Sequence, residues 1–168
     1  MNLLIRTTAL AASLFFVCQV SAQRWKYSYQ KGDFGESSYH FASAYKFDAQ
    51  LTSASYVDYT LSMNVGRSAK AGQTPYVFLG GDMLESLAWT VDAVKWTFEI
   101  KGEYETHRMV PSSKDNALFF SRADSRILIP LMEQGARVRV EALTSTGNLF
   151  KETFSLSGST AAIAQVKQ

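Results

Sequence analysis

Large side chains alternate with small or polar ones along most of this chain, and this period of two residues is the feature that most constrains its fold. Residues 57–65 have a large apolar or aromatic side chain at every odd position and a polar one at every even position. Residues 25–29 show the same pattern. In residues 39–47, Tyr39, Phe41, Ser43, Tyr45 and Phe47 alternate with a set that includes His40 and Lys46. Because successive side chains of a strand point to opposite faces, the alternation predicts half-buried β-strands.

Further strands are predicted between clusters of turn-forming residues such as residues 80–82 and 144–148. These strands cover residues 76–79, 94–101, 103–110, 117–120, 136–143 and 149–156. Short connections of this kind join neighbouring strands that run antiparallel.

Two segments are predicted to be helical. Residues 125–134 form either a short helix that ends at Gly135 or a single turn after an extended start, because Pro130 disfavours a helix interior. Residues 159–166 are rich in alanine and predict a C-terminal helix of two turns, capped by a serine or threonine hydroxyl. The predicted fold is therefore mostly β, an antiparallel β-sandwich or flattened barrel with a short C-terminal helix.

The first 22 residues have the pattern of a secretory signal peptide. Arg6 precedes an apolar run, and Ala22 ends a stretch of small or compact residues at a plausible cleavage site. We expect the mature chain to begin near Gln23, to form one domain over residues 23–168 and to work in the periplasm. No later apolar run approaches the roughly 20 residues that a membrane-spanning helix needs.

Composition excludes several classes of function. Loss of the leader removes Arg6 and leaves 16 basic against 15 acidic side chains, scattered along the chain, which disfavours a nucleic-acid binder. The single cysteine, Cys18, also lies in the leader, so thiol catalysis and thiolate metal sites are excluded after cleavage.

No motif indicates catalysis. His40 and His107 lie on different predicted strands without metal-ligand spacing, and the same-face carboxylates Glu103 and Glu105 are typical of a solvated strand face. The sequence 80–82 lacks the later glycine and the lysine of a phosphate loop, which favours a turn. We therefore predict no catalytic, cofactor-binding or metal site, and a protein that is not an enzyme.

The C-terminal part resembles a known family. An apolar segment at residues 127–135 leads to a strand at 137–140, a turn follows near Gly147, and the chain then passes through residues 154–163, Phe-Ser-Leu-Ser-Gly-Ser-Thr-Ala-Ala-Ile. This order is similar to the end of the invasion-associated locus B family and of related periplasmic proteins associated with type VI secretion. The resemblance implies a β-sandwich closed by a short helix, and it implies no catalytic residues.

These observations favour an exported periplasmic domain that binds another envelope protein or an exported effector. The alternative is a periplasmic inhibitor or immunity protein that blocks a cell-wall enzyme through one rigid loop. A hydrolase would need a converging histidine, serine and carboxylate, which the sequence does not indicate. We expect the contact surface on strand 39–46 and loop 111–116, because binding is often placed on loops and open sheet faces. The predicted contact residues are Tyr39, Tyr45, Ser113, Lys114 and Asp115.

Overall fold

The computed structural model describes residues 24–32, 37–70 and 72–168. The predicted signal peptide and the expected mature start at Gln23 lie outside these residues. The described part contains ten strands: β1 (Lys26–Gln30), β2 (Tyr39–Leu51), β3 (Ala54–Ser68), β4 (Tyr76–Gly80), β5 (Ala93–Ile100), β6 (Glu103–Met109), β7 (Ser112–Lys114), β8 (Ala117–Phe119), β9 (Arg137–Thr144) and β10 (Gly147–Ser155). Its helices are α1 (Arg122–Gln134) and α2 (Ser159–Lys167), with two short 3-10 turns at Asp82–Leu84 and Ala88–Thr90.

All ten strands belong to one antiparallel sheet that curls into a half-barrel. Nine strands follow the order β6-β5-β9-β10-β2-β3-β4-β8-β7, and β1 pairs with the first part of β2. Strand β10 reaches β2 only at the Phe150–Leu51 pair, so one short junction joins the two wings of the sheet. The predicted mostly β, antiparallel fold is confirmed, and the continuous curled sheet corresponds to the barrel alternative.

The inner face of the curled sheet holds the core. Strand β3 contributes Leu61, Met63 and Val65, all fully buried, as the alternation in residues 57–65 predicts. The largest buried side chains on the other wing are those of Trp96, Phe98, Phe150 and Phe154. The outer face of both wings is therefore left for other contacts.

Helix α1 contacts β4 and β5, which lie in opposite wings of the sheet. Its N-cap is Ser121. The Ser121 hydroxyl accepts a hydrogen bond from the Asp124 amide, and the Asp124 carboxylate accepts one from the Ser121 amide. This capping box starts the helix before the predicted boundary at residue 125. The helix has 13 residues and continues past Pro130, which lies at an exposed position inside it. The single-turn alternative is therefore wrong.

Helix α2 confirms the predicted C-terminal helix but not its cap. Its N-cap is Gly158, at φ 85°, and no side chain caps the helix. The Ser159 hydroxyl donates instead to the Met132 carbonyl at 2.6 Å, and the Thr160 hydroxyl donates to the Glu133 carbonyl at 2.8 Å. These hydroxyls fix α2 to the last turn of α1. Neither helix in the described ranges has the length and apolar character that crossing a membrane requires.

Candidate functional site

A cleft of about 670 Å³ lies on the outer face of the wing formed by β1 to β4, β7 and β8. One wall is a row of aromatic rings that crosses the strands. The ring of Phe41 meets that of Phe78 edge-on at 6.1 Å, and Phe78 stacks on Phe119 at 5.3 Å between centroids. Tyr76 lies beside both Phe78 and Phe119. Phe41 and Phe78 line the cleft and give it an apolar side, and Tyr76 and Phe119 continue the row beyond the lining.

Gly66 of β3 makes this row possible. A Cβ atom at that position would lie 3.0 Å from a Phe41 ring carbon and 3.1 Å from the ring of Tyr76. A glycine inside a strand commonly marks such a close approach. The two rings therefore cover β3 from both sides at the point where it has no side chain.

Small polar side chains form the floor of the cleft. Ser43 of β2 and Ser62 and Asn64 of β3 line it, and each residue is less than 8% exposed. The Asn64 side-chain amide donates to the Ser62 hydroxyl at 2.9 Å. At Gly80 a Cβ atom would lie 3.3 Å from that same hydroxyl, so the glycine leaves the floor open above Ser62. The floor offers hydroxyl and amide groups rather than an apolar surface.

Carboxylates surround the other side. Asp82, Glu85 and Asp115 line the cleft and are exposed, and the Asp82 carboxylate accepts a hydrogen bond from the Thr60 amide, which fixes its position. Lys114 lies 3.8 Å from Asp115 and offsets part of the charge. The titratable side chains at the rim of the cleft therefore carry a net negative charge.

Two of the sequence-predicted contact residues meet in this cleft. Tyr45 on β2 and Asp115 in the turn between β7 and β8 both line it. Asp115 and Asn116 have φ of 49° and 58°, values typical of a two-residue hairpin turn. The segment predicted as a loop, residues 111–116, is thus mostly a hairpin strand with this turn.

The other predicted residues lie around the cleft. Tyr39 is half-buried and its ring stacks on that of Phe41 at 5.9 Å between centroids, but it is not part of the lining of the cleft. Lys114 pairs with Ala117, which lines the cleft, so it shares that face of the sheet. Ser113 pairs with the buried Leu118 and lies on the opposite face.

The sequence prediction missed the polar floor. Ser62 and Asn64 stand at polar positions of the alternation, which predicts solvent exposure, yet both are buried. Ser43 stands among the large side chains of residues 39–47 and is buried as well. The small size of these side chains is the sequence feature that could indicate the cleft, because a face of serine, asparagine and glycine next to aromatic residues leaves room for a ligand.

A second cleft lies at the end of the barrel, among the β2–β3 turn, the β9–β10 turn and the second 3-10 turn. Its lining is rich in hydroxyl groups, including those of Thr52, Thr90 and Thr144. Trp89 rises beside it with 78% of its surface exposed, and its indole NH donates to the Ser86 carbonyl at 2.8 Å. That bond ties the indole to the backbone while most of the side chain remains exposed.

The two histidines do not come together. His40 on β2 contacts the Tyr27 hydroxyl at 2.7 Å, whereas His107 on β6 contacts the Glu105 carboxylate at 2.6 Å. Within the described ranges, no three histidine, cysteine, aspartate or glutamate side chains gather as a metal site would require.

Comparison with known proteins finds no family model, no curated protein and no solved structure that matches this chain. The likeness of its C-terminal part to the invasion-associated locus B family stays a prediction from the sequence.

Proposed function

We propose that this protein is an exported, non-enzymatic binding domain of the periplasm whose outer-face cleft holds an extended segment of another envelope or exported protein. The observation that carries the proposal is the combination in one cleft of an aromatic wall, an open polar floor and a negative rim. Ligand sites typically pair an apolar lining with a few polar groups that fix orientation. The export pattern of residues 1–22 supports the compartment.

The chemistry of the cleft favours a cationic partner segment. Carboxylates at Asp82, Glu85 and Asp115 attract lysine or arginine, and exposed Tyr45 offers a ring face on which a guanidinium can stack. The backbone and side-chain amides of the same segment can bond to the floor at Ser43 and Asn64. We therefore expect an arginine-bearing segment rather than an acidic one.

The surface is tested by capture from periplasmic extract with matched variants. Tyr45→Ala and Asp115→Lys should weaken capture of a stoichiometric partner. Tyr104→Ala and Glu103→Lys, which alter an exposed tyrosine and an exposed carboxylate on β6, should not. Equal behaviour of the two pairs of variants would exclude the cleft as the contact surface.

The ligand chemistry is tested with two short probes, acetylated Arg-Trp-Arg and Glu-Trp-Glu amides, followed by NMR amide shifts. The arginine peptide should shift resonances of β2, β3 and the β7–β8 turn at lower concentration than the glutamate peptide. Stronger binding of the glutamate peptide would contradict the proposed charge complementarity.

The alternative, an inhibitor or immunity protein, is favoured by one observation, the high exposure of Trp89. An exposed aromatic side chain with a hydrogen bond that fixes its orientation suits contact with an enzyme cleft. Assay against a panel of peptidoglycan hydrolases separates the two proposals. Stoichiometric inhibition that is lost in Trp89→Ala and kept in Tyr45→Ala would support the inhibitor.

A further inference from the structure

Strand β6 forms one end of the sheet, and no strand in the described part of the chain pairs with its outer edge. It spans Glu103–Met109 and pairs with β5 in a continuous register, without a bulge. Six of its seven residues are exposed or half-buried, Met109 being the exception. An edge strand without a bulge presents unpaired amides and carbonyls that can accept another strand.

We propose that this edge pairs antiparallel with β6 of a second copy of the chain, in the register centred on Thr106. A two-fold axis perpendicular to the sheet pairs residues whose side chains lie on the same face. The possible registers therefore differ by a shift of two residues along the partner strand, which moves the centre of the pairing by one residue. Because Thr106 is the middle residue of Glu103–Met109, this register pairs the whole strand. A shift of the centre to Glu105 or His107 leaves only five residues paired.

The register centred on Thr106 gives β6 two kinds of complementary cross-strand pair. Glu105 lies opposite His107 of the partner subunit, and Tyr104 lies opposite Arg108 of the partner subunit. The first pairing joins a carboxylate to an imidazole, and the second places a guanidinium against an aromatic ring. A hydrogen bond between an imidazole and a carboxylate stabilises such a cross-strand pair, whereas like charges that face each other destabilise it.

The neighbouring registers oppose like groups. With the centre at Glu105, that carboxylate faces its own copy, and this register, although it also forms a Glu103–His107 pair, leaves only five residues paired. With the centre at His107, the two imidazoles face each other. Charged side chains on an edge strand usually discourage pairing with other strands. Here the like groups and the shorter pairing disfavour the two neighbouring registers, so a closed two-fold dimer centred on Thr106 is favoured.

The contacts within one subunit leave these side chains available. Within one subunit, Glu105 and His107 form a hydrogen bond of 2.6 Å along the strand, and both side chains remain partly exposed. In the dimer, each would exchange this bond for one to the partner subunit, so the number of hydrogen bonds stays the same. On the other face, Tyr104 is 71% exposed. The dimer is independent of the cleft proposal, because the cleft lies on the opposite wing.

Charge exchange tests the pairing. In sedimentation over a concentration series, His107→Glu should weaken the dimer roughly 10- to 30-fold, because both symmetric contacts become repulsive. The double variant Glu105→Lys/His107→Glu should restore it, and Glu103→Lys, which faces Met109 of the partner subunit, is the matched control. A wild-type protein that stays monomeric at its highest soluble concentration would overturn the proposal, as would failure of the double variant to recover.

Cysteine cross-linking tests the register. In a Cys18→Ser background, which removes the single cysteine, Thr106→Cys should form a disulfide dimer under mild oxidation. Glu105→Cys should not cross-link alone but should do so when mixed with His107→Cys. Self-linking of Glu105→Cys as efficient as that of Thr106→Cys would refute the register. Thermal unfolding of each variant confirms that the monomer is folded.

Discussion

Glu152 stands at the narrow junction of the two wings, and its removal should destabilise the protein strongly. It lies on the inner face of β10, between Phe150 and Phe154, with its side chain only 11% exposed. One carboxylate oxygen accepts a hydrogen bond from the Gln50 amide at 2.8 Å, and the other lies 3.3 Å from the Lys46 ammonium. The carboxylate therefore continues the contact that β10 makes with β2.

The size of the loss follows from these two contacts. A hydrogen bond to a charged group contributes about 1.5–3 kcal/mol, and an exposed ion pair about 0–1 kcal/mol. Because this pair is mostly shielded from water, we expect Glu152→Ala to lower the free energy of unfolding by roughly 3 kcal/mol. For a chain of this length, that corresponds to a fall in Tm of roughly 6–12 °C.

Asp48 supplies a matched control on the same lysine. Its carboxylate also lies 3.3 Å from the Lys46 ammonium, but its side chain is 74% exposed. Urea unfolding at neutral pH should show a loss of about 0–1 kcal/mol for Asp48→Ala. Glu152→Gln, which keeps an acceptor for the Gln50 amide, should fall between the two. Equal losses for Asp48→Ala and Glu152→Ala would refute the argument that burial at the junction decides the energy.

Two further predictions concern other parts of the sheet. Burial and then the nearby Tyr39 raise the pKa of Tyr76 above its usual 10.0, so the unfolded chain loses this proton first and stability should fall as the pH rises through 10. Phenolate absorbance should show one late-titrating tyrosine that is missing in Tyr76→Phe; a titration unchanged by that substitution would contradict the prediction. Gly81→Ala should destabilise by more than Gly102→Ala, because both glycines have positive φ but only at Gly81 would a Cβ lie 2.2 Å from the Thr60 carbonyl oxygen. We expect about 1 kcal/mol at Gly102 and several at Gly81 by chemical denaturation, and equal losses would refute the steric reason.

The elements of this fold could be predicted from sequence because each has a local cause. The alternation in residues 57–65 identifies β3 and the face that it buries, and the alanine-rich segment after Gly158 identifies α2. The curl of the sheet could not be predicted in this way. It depends on β10 meeting β2 at the Phe150–Leu51 pair, a contact between residues about a hundred positions apart.

The cleft could be predicted only in part for the same reason. An open strand face predicts Tyr45 as a contact residue and a turn predicts Asp115; both are local features, and the structure places both residues in one cleft. The floor depends on the packing of β2, β3 and β4 side by side. Their register sets Asn64 opposite Ser43 on one side and Phe78 on the other, and neither pairing is present in any single segment.

The two faces of the wing with the cleft separate stability from binding. Leu61 and Met63 point into the core, whereas Ser62 and Asn64, between and after them on the same strand, line the cleft. Because a strand sends alternate side chains to opposite faces, substitutions at even positions of β3 can change what the cleft accepts without opening a cavity in the core. A binding surface built on this face can therefore change its partner while the fold is kept by the residues beneath it.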